Sequence, residues 1–179
     1  MKILILIIIL LTGCGSSDFS EPEPISHKSI IPTCDLGDNY IIENEEKYGP
    51  FFSADDIETY EIEVLDDELY EDTELAIESW NTAFGYELFV FSDKPTILVQ
   101  FSEMRAGGSA TPPLGTGQWI INVNDSIPES SILKIITHEL GHVFKLRHDL
   151  TDDRSVMSPD GGDCIPNYLI DLITEKYNL

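Results

Sequence analysis

Thr137-His138-Glu139-Leu140-Gly141-His142-Val143-Phe144-Lys145-Leu146-Arg147-His148-Asp149 is the stretch on which the reading of this chain turns. At about 3.6 residues per turn, positions i and i+4 share one helix face, so His138 and His142 can direct two imidazoles at one metal ion. Glu139 is offset by about 100° around the axis, outside the ligand position and within reach of a water on that metal. Two ligands and a general base on one rigid element are the mechanics of H-E-x-x-H. A third ligand is needed, with one position left open for water and substrate. His148 stands six residues past His142, and on a continuing helix it would point about 120° away. The helix must therefore break and turn back. That turn falls at Lys145, where glycine is the usual residue because φ > 0 costs it nothing. A left-handed lysine costs about 1–2 kcal/mol, set against about 10 kcal/mol or more from metal ligation.

Upstream of this helix, which Ser130 or Ser131 is expected to cap, the pattern alternates strand and helix. Ile57, Thr59, Glu61 and Glu63 through Val64-Leu65 suggest a first strand. Asp72 or Thr73 can cap a helix reaching about Phe84, with Leu75, Ala76, Trp80 and Ala83-Phe84 at helical spacing and Gly85 just past its end. Trp80 reads as core. Glu87–Phe91, Thr96–Phe101 and Trp119–Val123 are rich in β-formers, and Ala106–Gly117 is a Gly/Pro-punctuated stretch between the last two.

Taken with its surroundings, His138–His148 resembles the extended zinc signature of the metzincin clan of metallopeptidases. That clan carries a tight turn placing a Met beneath the metal, and Ser155-Val156-Met157-Ser158-Pro159 puts Met157 nine residues past His148. The Trp-bearing helix, the strands and loop after it, and Gly-Gln-Trp-Ile-Ile-Asn-Val-Asn-Asp before the zinc helix are similar to the matrixin-like branch. Asn167–Tyr177 resembles its closing helix. The resemblance covers roughly residues 55–179. It implies an α+β, zincin-type domain: a twisted, mostly parallel sheet of four or five strands, two backing helices and a C-terminal helix. It further implies one Zn2+ on His138, His142 and His148, with Glu139 activating the zinc-bound water to hydrolyse peptide bonds. Pro159 occupies the position where some branches add a Tyr ligand, so three histidines and water are expected. An extended peptide or protein substrate would add a strand to a sheet edge near Gly107–Thr111. The alternative reading is a catalytically silent zinc-binding or adhesion module, against which the retained Glu139 argues. Structural Ca2+ stays open, because Asp152, Asp153, Asp160 and Asp163 read equally well as solvated acids.

At the other end, Met1-Lys2 precedes an apolar run, Ile3–Leu11, of nine residues. A bilayer-spanning helix needs about 20. Leu11-Thr12-Gly13-Cys14 resembles the lipobox of bacterial lipoproteins. This implies a signal peptide over residues 1–13, lipidation of Cys14, and anchoring by that lipid at the cell envelope, in the outer membrane/periplasm or at the cell surface. Residues 14–32 are Ser, Glu and Pro rich and read as a flexible tether, with His27 solvated in it. Residues 33–54 form an extension without a clear pattern. Cys34 and Cys164 remain, and export favours a disulfide between them. Free thiols stay open, as does an inhibitory role for Cys34, since Pro32-Thr33-Cys34-Asp35 faintly resembles the matrixin propeptide whose Cys occupies the metal. The net charge is −23 at pH 7, with 15 Asp or Glu against a single lysine between Glu43 and Glu78. Such a surface repels nucleic acid and anionic lipid heads.

Overall fold

Tyr60, Ile62, Ile97, Val99, Trp119, Ile121 and Val123 fall on alternate positions of three short runs, and all are buried. Period-two burial of this kind puts one face of a sheet against the core. The computed structural model describes residues 28–37, 59–113 and 117–177. The apolar run, Cys14, His27 and residues 38–54 of the extension lie outside the described residues.

The strands are β1 (Thr33–Cys34), β2 (Tyr60–Val64), β3 (Phe89–Phe91), β4 (Ile97–Ser102), β5 (Gly108–Thr111), β6 (Trp119–Asn124) and β7 (Ile165–Pro166). The helices are α1 (Tyr70–Phe84), α2 (Ile132–Val143) and α3 (Asn167–Tyr177). A five-stranded sheet runs in the order β3-β2-β4-β6-β5. Its first four strands are parallel, and β5 closes one edge antiparallel to β6. The fold is α+β with a mostly parallel mixed sheet and three helices. Among the described residues no helix is long and apolar enough to cross a membrane.

α1 and α2 pack against each other, and α2 also meets β5 and β6. Trp80 of α1 is fully buried, and its Nε1 donates to the Thr137 carbonyl of α2 at 3.0 Å. Phe144, just past α2, sits among the rings of Tyr60, Trp80, Phe84 and Phe89 at centroid distances of 5.4 to 5.7 Å. Burying each such ring contributes roughly 1.5–3 kcal/mol, so the C-terminal end of α2 is fixed by the aromatic core. Asn81 ties α1 to β3: its Oδ1 accepts from the Leu88 and Phe89 amides, and its Nδ2 donates to the Phe89 carbonyl.

Two boundaries and the bonding at one correctly placed cap differ from the sequence expectation. α1 begins at Tyr70 behind a 3-10 turn at Asp67–Leu69, with no side-chain cap. The expected caps are used elsewhere: Thr73 Oγ1 donates back to the Leu69 carbonyl, and Asp72 pairs with Lys28 at 2.9 Å. Ser131 holds the N-cap position of α2 without a side-chain bond, again after a 3-10 turn. The third concerns the tether, which reaches residue 32 in the sequence reading, whereas residues 28–34 are part of the domain. Ile31 is buried and its amide donates to Ser79 Oγ, the Ile165 amide donates to the Pro32 carbonyl, and β1 pairs in parallel with β7. The apolar pair Ile30-Ile31 inside a polar segment supplies the reason. Cys34 and Cys164 are disulfide-bonded, which fastens this strap and leaves the Cys34 sulfur no free thiol for the inhibitory role.

Candidate metal centre

α2 has no Gly or Pro in its first turns and carries Ile132, Ile136, Leu140 and Val143 as its buried stripe. By helical geometry His138 and His142 project at least about 120° around the axis from the middle of that stripe. At its end the chain turns as a lysine-bearing Schellman motif. Lys145 has φ 63°, the one positive-φ residue other than glycine among the described residues. Its amide donates to the His142 carbonyl, and the Leu146 amide reaches back to Gly141. The helix thus breaks where His148 requires it to break. The ligand atoms of His138, His142 and His148 all lie within 4.8 Å of one another. Among the described residues this is the group placed to hold a metal ion.

Two of these rings are held by backbone carbonyls. His138 Nδ1 lies 2.7 Å from the Val156 carbonyl and His142 Nδ1 lies 2.7 Å from the Leu146 carbonyl. A carbonyl oxygen can only accept, so each Nδ1 carries the proton and each Nε2 is left with its lone pair for a metal. Burial holds the His138 imidazole down at about 4, helped by His142 and His148 nearby, and burial likewise lowers His142. Both shifts favour the neutral, ligating form. His148 is exposed at the rim. The donor set therefore fits a divalent ion with room for one further ligand.

Glu139 follows the first ligand and is buried at 5% exposure. Burial pushes its carboxyl up to about 7, opposed by a hydrogen bond from the Ala110 backbone amide. The Oε2 atom is buried without a hydrogen-bond partner among the described residues, as expected of a base whose partner is a water or substrate atom. The Ala110 amide is available for a definite reason. The Asn124 amide donates to the Gly107 carbonyl, so residues 107, 109 and 111 turn their backbone groups toward β6. Gly108 and Ala110 fall in the alternate, non-bonded pairs and point theirs at the open edge. A Cβ on Gly108 would meet Glu139 Oε1 at 2.8 Å and Ile135 Cγ2 at 2.6 Å, so glycine lets this edge come close to the base.

The turn around Met157 supports the floor. The Ser158 amide donates to the Ser155 carbonyl, and Val156 donates to the Cys164 carbonyl at 2.7 Å while its own carbonyl holds His138. Met157 is fully buried, and a Cβ on Gly141 would lie 2.3 Å from its Sδ. Asp149 is buried; its amide donates to the Met157 carbonyl, and its carboxylate accepts from the Thr151 amide, Thr151 Oγ1 and Tyr168 Oη. Of the acids left open for Ca2+, Asp152 pairs with Arg154 and Asp163 with Lys134.

Sequence reasoning named the three histidines, Glu139 and Met157. It missed Tyr168, the edge amide of Ala110 and the two carbonyls that fix the imidazoles. Backbone groups leave no residue-type signal, and Tyr168 looks like an ordinary helix residue. No family model matches the chain, and no curated protein matches it.

Proposed function

We propose that the chain is a zinc-dependent peptidase, an endopeptidase of metzincin type that cleaves extended segments of peptide or protein at the bacterial cell envelope. One observation carries the reading: three imidazoles converge beside a buried carboxylate whose Oε2 has no partner among the described residues, next to a strand edge that those residues leave open. Three nitrogen ligands and an open position suit catalytic zinc. When bound, zinc supplies Lewis acidity, lowering the pKa of a coordinated water toward about 7 and polarising a carbonyl.

The chain's own groups do the rest. Glu139 takes the proton of the attacking water at Oε2 and returns it to the leaving amine. Its burial matches that exchange, because a carboxyl raised to about 7 both accepts and gives up a proton near neutrality. The Ala110 amide fixes the carboxylate's other oxygen. The outward carbonyls of Gly108 and Ala110 are acceptors for the amides of a substrate strand laid along β5. Such pairing reads backbone along a peptide's length, which suits cleavage within a chain. The lipobox resemblance of Leu11–Cys14 supports the envelope location.

The test is a peptide-library digest with the full chain, with and without chelator, alongside Glu139→Ala. Cleavage that chelator abolishes and zinc restores is expected, with Glu139→Ala binding zinc and losing turnover. Zinc bound without any cleavage by the wild type would turn the reading toward a binding module.

A further inference from the structure

Two of the three ligands ride on α2, whose rotation the core sets. The third does not. His148 is exposed and lies on a stretch with no regular secondary structure between the left-handed Lys145 and the Met157 turn. Backbone held at a positive φ by a non-glycine residue persists only where its surroundings over-determine it. The groups that hold this stretch therefore matter to where His148 sits.

Both ends of the stretch are gripped by the same helix. At one end the Phe144 carbonyl accepts from Tyr177 Oη at 3.1 Å. At the other end Asp149, next to His148, accepts from Tyr168 Oη. Tyr168 and Tyr177 stand near the two ends of α3. Tyr177 is 4% exposed, so its hydroxyl is fixed within the core.

We infer that α3 is a brace for the third ligand, with Tyr168 and Tyr177 as positioning residues that set His148 by holding Asp149 and Phe144. The inference rests on the metal reading above, and neither tyrosine touches the metal or the substrate. Groups that orient metal ligands from behind typically change affinity about 10–100-fold when removed.

The experiment uses the full-length chain with Tyr168→Phe, Tyr177→Phe and, as a control, Tyr86→Phe, an exposed residue whose ring lies against Phe84. Zinc affinity is measured by chelator competition. The ligand-field spectrum of the Co2+ form reports the geometry, and the melting temperature of the metal-free chain reports the fold. Each α3 variant is expected to lose about tenfold or more in zinc affinity and to shift the Co2+ bands, with Tyr86→Phe at wild-type values. A purely structural role would lower the melting temperature and leave affinity and spectrum unchanged, and that result overturns the brace. If Tyr177→Phe fails to fold, Tyr168→Phe alone decides, since it removes one oxygen from a half-buried ring. A wild-type chain that takes up no metal would refute the metal reading itself, which separates the two failures.

Discussion

Gly141 sits in the last turn of α2, one residue before His142, where glycine costs up to about 1 kcal/mol of helix stability relative to alanine. Replacing it by alanine should recover that amount if nothing else changed. The new Cβ, however, would lie 2.3 Å from Met157 Sδ, with Met157 Cε at 3.3 Å and Trp80 Cζ2 at 3.4 Å. Carbon contacts settle at about 3.5–4 Å, so the sulfur has to move by more than 1 Å in a site where Met157 and Trp80 have no exposed surface. Overpacking of this kind costs about 1–3 kcal/mol. The balance for Gly141→Ala is a net loss of about 1 kcal/mol, or a melting temperature lower by about 4 °C for a domain of this size. In a Met157→Ala background the obstacle is gone and the helix gain survives, so the same substitution should raise stability by up to about 1 kcal/mol. Urea titrations of the four metal-free chains of the cycle measure both signs. Gly141→Ala acting equally in both backgrounds would refute the claim that glycine is there to admit the methionine.

Lys145→Gly relieves a left-handed strain of about 1–2 kcal/mol against up to about 1 kcal/mol of added unfolded-state entropy. The chain should melt slightly higher, while Lys145→Val should melt lower and bind metal less well; the reverse order in calorimetry would contradict the Schellman turn. Cys34→Ser/Cys164→Ser opens a link with a sequence separation of 130, a change expected to cost about 2–5 kcal/mol. Denaturant midpoints that coincide for oxidised wild type and the variant would show that the strap contributes nothing. The Tyr177 hydroxyl is pushed from 10.0 up to about 12 by burial. Its contribution is complete below about pH 10, where both folded and unfolded forms are protonated, and is lost as pH rises toward 12 because the unfolded chain ionises first. Wild type should therefore lose about 2–3 kcal/mol more than Tyr177→Phe over that range, and parallel urea stabilities for the two chains would refute it.

Much of the fold was legible because it rests on side-chain periodicity. The alternation in β4 and β6, the Trp80 helix and its Gly85 end are all written in residue type, and α3 runs over Asn167–Tyr177 as the resemblance implied. The histidine cluster was legible in the same way, since the spacing of His138, His142 and His148 reads as one candidate ligand set, and their ligand atoms do come within 4.8 Å of one another. What escaped notice depends on tertiary use of ordinary residues. Asp72 and Thr73 look like helix caps, yet one meets Lys28 and the other bonds back to Leu69. Ile30-Ile31 lies in a polar stretch whose composition reads as tether, yet Ile31 is core. β5 is a sheet edge where the resemblance placed one, near Gly107–Thr111, but its approach to Glu139 is carried by backbone groups and a glycine, which a Gly/Pro-rich composition does not show.

The central claim is that His138, His142 and His148 bind one ion together after the chain reverses at Lys145. X-ray absorption at the zinc edge, on full-length chain loaded to saturation, tests it most directly. One zinc per chain with three imidazole nitrogens at about 2.0–2.1 Å and a light fourth scatterer is the expected result, with one imidazole fewer in His148→Ala. A wild-type spectrum fitted by two imidazoles, unchanged by that substitution, would contradict it.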